Sequence, residues 1–163
     1  MKQGNTVGSR FKINSAYIAG FLDGDGSLMM QIKRRSDSKK GIRFMLTICF
    51  YQDSRHDTPL FWIQKELGVG YISKRNDHMT ELRINGFEKV EKILLRLLPF
   101  LRFKKVQARE IIKSARILQK SRMSSGADNR KLTDSILRIQ RENYATRKKK
   151  TKEEIYKILN LTP

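Results

Sequence analysis

Residues 14–26 constrain this chain more than any other stretch, because one helical pattern there offers two usable faces and then stops among glycines. Asn14 or Ser15 can cap a short helix. Ile18, Phe21 and Leu22 fall at i, i+3 and i+4, the spacing of a face that enters the chain's own core. Ala16, Ala19, Gly20 and Asp23 form another face with almost no bulk. The distance between packed helices is set by the side chains at their contact, so a second helix can come close to such a face. The pattern occurs once, and the second helix is therefore expected from another copy of the chain, with these four residues at a dimer interface. Gly24 and Gly26 flank Asp25 and end the helix.

Residues 27–35 alternate as a strand, with Leu28, Met30 and Ile32 inward and Ser27, Met29, Gln31, Lys33 and Arg35 outward. After a polar turn at 36–41, Phe44, Leu46, Ile48 and Phe50 repeat the apolar side. Arg43, Met45, Thr47, Cys49 and Tyr51 take the other, and Gln52 stands at the end. A short helix at 58–67 and a glycine break at 68–70 lead to a hairpin through Asn76 and Asp77. Ser73 and Arg75 share a face there, as do Glu81, Arg83 and Asn85. Together these strands form a four-stranded antiparallel sheet with one polar, basic side. Such a side can read base edges, although solvated sheet faces are polar by default.

Phe87, Val90, Leu94 and Leu97 mark a core helix ending before Pro99, and Ile111, Ile112, Ala115 and Leu118 mark another. Residues 121–129 read as a linker, and Leu132, Ile136 and Ile139 set a further helix. The basic run at 147–150 precedes a last helix opened by a capping box at Thr151 and Glu154. The expected organisation is an N-terminal extension at 1–13, a core at 14–120, and a C-terminal helical segment of the same domain at 121–163.

A chain of 163 residues with 39% apolar content buries an ordinary core as one domain. Its 35 Lys and Arg against 16 Asp and Glu give a net charge of +19, which repels itself unless a polyanion covers part of the surface. Nucleic acid is the expected partner, and on charge alone a structural RNA binder is the better reading. Cys49 is the single cysteine, which excludes an intrachain disulfide and a cysteine-built zinc site and suggests a reducing compartment. No stretch approaches the roughly 20 apolar residues that cross a bilayer, and residues 1–9 lack an apolar signal core. The expectation is a soluble chain made where it works, with neither a membrane nor a small molecule as partner.

Asp23 and Asp25 need a reason to stand at a helix end among so many cations. Asp23 can satisfy nearby backbone donors, and Asp25 can simply belong to a glycine-rich turn. A calcium loop counted from Asp23 fails, because Leu28 falls where glycine is needed and Arg34 where a bidentate glutamate is needed. A third reading is a Mg²⁺ site for phosphodiester hydrolysis, where carboxylate oxygen suits a hard cation that activates water and offsets phosphate charge. One aspartate per chain is scanty. Two copies of the helix at a dimer axis would bring two Asp25 carboxylates together.

Residues 18–26 (IAGFLDGDG) resemble the LAGLIDADG motif, and residues 27–33 (SLMMQIK) resemble its extension in the single-motif homing endonucleases. Similar segments follow at 68–71 (GVGY) and 99–105 (PFLRFKK), with Gln107 and Ala108 after them, so the likeness covers 16–118. The resemblance implies an α+β fold with an αββαββα core, a saddle-shaped antiparallel sheet in the DNA major groove, and extra C-terminal helices. It implies a homodimer with paired motif helices, acting on double-stranded DNA with two related half-sites.

By the same resemblance, Asp25 is the catalytic carboxylate and metal ligand, assisted by the Gly24 carbonyl. Gln52 lies near the water network, and Lys104 flanks the scissile phosphate. A second basic catalytic position falls at His56, with Arg55 beside it as the other choice. Gln31, Lys33, Arg43, Tyr51, Ser73, Arg75, Glu81 and Arg83 match DNA-facing positions. Mg²⁺ is the implied cofactor, with Ca²⁺ or Mn²⁺ able to stand in the site. The implied reaction is hydrolysis of both strands of a long pseudo-palindromic site, by a protein encoded in a group I intron of a mitochondrion or chloroplast. The rival on the same fold is an intron maturase or a nucleic-acid binder that cuts nothing.

Overall fold

The computed structural model describes residues 6–34, 41–120, 125–143 and 148–162. Helix α1 (Thr6–Asp25) is 20 residues long and begins well before the expected cap at Asn14 or Ser15. Residues 6–13, expected as an extension outside the core, are the opening turns of the motif helix. Tertiary contacts explain the difference. Arg96, in α3 (Phe87–Leu97), lies 4.1 Å from the Phe11 ring and donates from Nε to Ser15 Oγ at 2.8 Å. It also reaches Glu66 of α2 (Thr58–Leu67) at 2.8 Å. One guanidinium thus ties α1 to α2 and α3. The Ser15 hydroxyl donates to the Phe11 carbonyl at 2.7 Å, inside the helix instead of capping it.

The helix stops at Asp25, and β1 (Gly26–Arg34) turns back to pair antiparallel with β2 (Ile42–Asp53), Gly26 opposite Phe50 and Lys33 opposite Arg43. After α2, β3 (Tyr71–Lys74) and β4 (Met79–Asn85) complete a four-stranded antiparallel sheet in the order β1-β2-β4-β3. Between α2 and β3, Gly70 has φ 105, and a Cβ there would stand 2.8 Å from side-chain atoms of both Leu82 and Ile84. Only glycine fits that approach. The apolar side read from the sequence holds, with Leu28, Met30, Phe44, Leu46, Ile48, Phe50, Leu82 and Ile84 buried, but Thr47 and Cys49 on the other side are fully buried as well. Residues from α1, α3, α4 (Lys105–Lys120), α5 (Gly126–Glu142) and α6 (Lys152–Leu159) complete that core. The α+β, αββαββα order followed by C-terminal helices is the one expected.

The linker expected at 121–129 is shorter than its composition suggests. Ser125 accepts from the Asp128 N–H, the Asp128 carboxylate accepts from the Ser125 N–H, and this capping box starts α5 at Gly126. The box expected at Thr151 and Glu154 does open α6. Arg35, most of the turn expected at 36–41, residues 121–124 and Arg147 lie outside the described residues.

Candidate active site and nucleic-acid interface

The two aspartates at the end of α1 have opposite surroundings. Asp25 is exposed, and its carboxylate accepts no hydrogen bond among the described residues. Asp23 is turned inward. Its Oδ2 accepts from the backbone N–H groups of Arg102 at 2.6 Å and Phe103 at 3.2 Å, and its Oδ1 from Lys104 at 2.9 Å. These bonds are the backbone-donor role read for Asp23, with donors far away in sequence. The Lys104 ammonium in turn donates to the Asp23 carbonyl oxygen. Burial pushes the Lys104 pKa below its ordinary value, while the negative charges of Asp23 and Asp25 oppose that shift. Asp25 and Lys104 are thus brought together.

Ala19 departs from expectation. It is fully buried beside Ile18 and Leu22 in the chain's own core, because α1 lies so close to the sheet and α3 that a methyl group fills the gap. Ala16, Gly20 and Gly24 face outward, and a Cβ added at Gly20 or Gly24 would meet nothing within 4 Å. Sequence reasoning missed the apolar residues that continue this outer stripe. Ile13 is 64% and Tyr17 54% exposed, and the Tyr17 ring meets Trp62 of α2 edge-on at 5.4 Å. Ile13, Tyr17, Gly20 and Gly24 fall at i, i+4, i+7 and i+11, a signal hidden by the expected late start of the helix.

Gln52 lies two residues beyond Phe50, the partner of Gly26, and so at the end of the sheet where α1 stops. Its Oε1 accepts from the Asp53 N–H at 2.9 Å, leaving the amide N–H donors available. Arg55 and His56 follow in a single 3-10 turn, Ser54–His56. Arg55 is bonded to both oxygens of Asp53, at 3.0 and 2.8 Å, and these bonds hold the Asp53 carboxyl well below the usual carboxylate range. His56 is exposed and has no hydrogen bond among the described residues. Neither Gln52 nor His56 bonds to Asp25 or Lys104.

The strand register puts Gln31, Lys33, Arg43, Tyr51, Ser73, Glu81 and Arg83 on one side of the sheet, and Arg75 joins them with its guanidinium 6.0 Å from the Tyr51 ring. The two ends of this face differ. At the β1–β2 end, Gln31, Lys33 and Arg43 make no hydrogen bond or ion pair among the described residues. At the β3–β4 end, Glu81 is only 6% exposed. It accepts from Arg83 Nε at 3.1 Å and Nη2 at 3.2 Å, from Ser73 Oγ at 3.4 Å, and lies 3.8 Å from Arg75. Glu81 lies on the face expected to meet DNA, and within the chain it holds Arg83 and attracts Arg75.

Residues 18–104 match the family model described as LAGLIDADG endonuclease, more than half of the chain. The chain belongs to that family. Among curated relatives, the LAGLIDADG chain is 39% identical over 103 residues to DNA endonuclease I-CvuI of Chlorella vulgaris, covering 62% of this chain and 63% of that protein. It is 33% identical over 97 residues to DNA endonuclease I-CreI of Chlamydomonas reinhardtii, covering 60% and 59%. The match thus spans just under two thirds of each relative. In three dimensions it is similar to I-CvuI in complex with the I-CreI target in the presence of Mg, with the DNA not cleaved: TM-score 0.79, 26% identity, 93% of this chain and 95% of that one. An archaeal intron-encoded endonuclease, I-Vdi141I complexed with DNA, shares the fold at TM-score 0.77 and 21% identity, over 91% and 95%.

Proposed function

We infer that this chain is a homing endonuclease that acts as a homodimer and hydrolyses both strands of a long, near-palindromic DNA site with the help of Mg²⁺. The observation that carries the reading is the unpartnered Asp25 carboxylate at the end of a helix whose outer face is bare at Gly20 and Gly24, with the Lys104 ammonium held beside it through Asp23.

The donor set suits a divalent ion as half of a site. Asp25 offers hard carboxylate oxygen to solvent, and the Gly24 carbonyl is the second donor. No group of three His, Cys, Asp or Glu that could hold a metal ion exists among the described residues, so one chain does not complete a cage. A second copy packed on the bare face brings a second Asp25. Bound there, a divalent ion supplies Lewis acidity for attack by water and positive charge against the phosphate. Lys104 keeps a cation next to Asp25, placed to offset charge that builds on the scissile phosphate. Gln52 has amide N–H groups free to orient water or a phosphate oxygen. Of the two basic neighbours, His56 is assigned the second basic position, because Arg55 is committed to Asp53.

Gln31, Lys33 and Arg43 on one flank, and Tyr51, Ser73, Arg75 and Arg83 on the other, supply the donors and acceptors for base edges and phosphates. An intron-borne, organellar origin belongs to the same proposal; the two relatives come from Chlorella vulgaris and Chlamydomonas reinhardtii, and sequencing the genomic locus tests it.

The test of cutting is digestion of a randomised-site DNA library in Mg²⁺, followed by sequencing of the ends. The full chain should release a single family of sites. Asp25→Asn should release none, yet bind the selected duplex in Ca²⁺ as tightly as the unaltered chain. Undiminished cutting by that variant removes Asp25 as the metal ligand.

A further inference from the structure

Helix α4 carries five cations, Lys105, Arg109, Lys113, Arg116 and Lys120, at steps of four, four, three and four residues. At 3.6 residues per turn they lie within about 80° of one another around the axis, in a stripe about 22 Å long. Ala108, Ile111 and Ala115 occupy the opposite side and join the core beneath the apolar face of the sheet. The cations therefore point away from the sheet and from its polar face. Arg109, Lys113 and Arg116, with Lys131 of α5, rim a groove of about 530 Å³ floored by Leu95, Leu98, Ile112 and Ile117.

This is not the mixed-sign surface of an ordinary solvated helix. Like charges four residues apart weaken a helix that no anion covers. The only acid of α4, Glu110, is turned to the buried side, where it accepts from Ser135 Oγ at 2.7 Å and Arg138 Nη1 at 3.3 Å. Of the stripe and Lys131, only Arg116 has an acidic partner among the described residues, Glu91 at 2.7 Å. The groove contains no aromatic ring on which a base could stack. The cations on its rim, above the apolar floor, suit a phosphodiester backbone held without regard to sequence.

We propose that the outer face of α4 is a second DNA-binding surface, which takes the backbone of a further duplex segment while the sheet holds the target. The proposal rests on the reading of the sheet as the target-binding face. Any DNA long enough to carry a target brings other segments of the same polymer to the protein at high local concentration, and this favours DNA as the occupant.

A bead-bound duplex carrying the selected target is saturated with the full chain in Ca²⁺, and a labelled duplex of unrelated sequence is then added. The same measurement is made on the triple variant R109Q/K113Q/K131Q, whose exposed glutamines keep helix propensity and whose melting temperature checks the fold. The unaltered chain should retain the label. The variant should retain at least about tenfold less, its salt slope for the second duplex shallower by about 2.7, at roughly 0.9 for each phosphate that is no longer neutralised. Its affinity for the target should stay within about twofold, since this surface is remote from the sheet face. No second duplex on the unaltered chain, or equal retention by the variant, overturns the proposal. So does an RNA duplex that displaces the label at lower concentration than DNA. If the target duplex itself fails to bind, the reading of the sheet is at fault, and direct binding of the unrelated duplex by the two proteins still decides the role of α4.

Discussion

Asp23 and Lys104 hold each other twice: the Asp23 carboxylate accepts from the Lys104 backbone N–H at 2.9 Å, and the Lys104 ammonium donates back to the Asp23 carbonyl oxygen. With the bonds from Arg102 and Phe103, the end of α1 becomes the clamp for the turn that leads into α4. Asp23→Ala should lower stability by about 1–2 kcal/mol, the loss expected when a helix end loses a charged acceptor. It should also lower cleavage in Mg²⁺ more than DNA binding in Ca²⁺, because Lys104 loses its fixed place beside Asp25. A urea titration and a cleavage time course measure the two effects. Equal losses in binding and cutting would leave Asp23 with a purely structural role.

The elements of the sheet were legible because each depends on a local period. Leu28, Met30 and Phe44 through Phe50 alternate, and the residues so marked are buried. What the sequence hid depends on partners distant in the chain. The early start of α1 rests on Arg96, 81 residues beyond Ser15. The role of Asp23 rests on donors at 102–104, and the burial of Ala19 on how near α1 lies to the core. Asp25 and Lys104 could be named from a motif, but their proximity is a property of packing. The contacts of Glu81 have the same explanation: the two arginines around it come from positions that only the folded sheet brings together.

The bare stripe on α1 gives a sharp test of association. Since Gly20 is exposed and a Cβ there meets nothing within 4 Å, the single chain should accommodate Gly20→Leu, and loss of a helical glycine favours the helix by up to about 1 kcal/mol. The same side chain stands where, in the proposed homodimer, a second α1 approaches. Sedimentation velocity should show a folded monomer for this variant and a dimer for the unaltered chain. A Gly20→Leu dimer of unchanged affinity would move the interface elsewhere.

Glu81 offers a test of how DNA sequence is read. Glu81→Gln keeps the shape but removes the charge that holds Arg83 with two nitrogens and attracts Arg75. Freed guanidiniums find phosphates anywhere, so affinity for random duplex should rise. The ratio of random-site to selected-site Kd should fall by about tenfold, the scale of one good bidentate base contact. Competition binding at fixed salt reads that ratio directly. No change in it would mean that the arginines hold their positions without Glu81.

Gly26 fixes the angle at which the motif helix hands over to the sheet. A Cβ there would stand 2.6 Å from Leu22 Cδ1, 2.8 Å from the Leu22 carbonyl oxygen and 2.9 Å from its Cα. The last two are backbone atoms of a helix whose Leu22 is fully buried, so they cannot swing aside. Gly26→Ala must therefore bend the junction, at a cost of about 1–3 kcal/mol, the range for overpacking a tight site. Asp25 is the adjacent residue and moves with the bend. The urea midpoint should drop, and the surviving folded protein should cut more slowly in Mg²⁺ than its binding in Ca²⁺ would suggest. Gly24→Ala is the control, because its Cβ meets nothing within 4 Å in the single chain. Its stability should stay within about 1 kcal/mol of the unaltered protein, so comparable destabilisation by both variants would show that the junction tolerates no side chain for some reason other than Leu22.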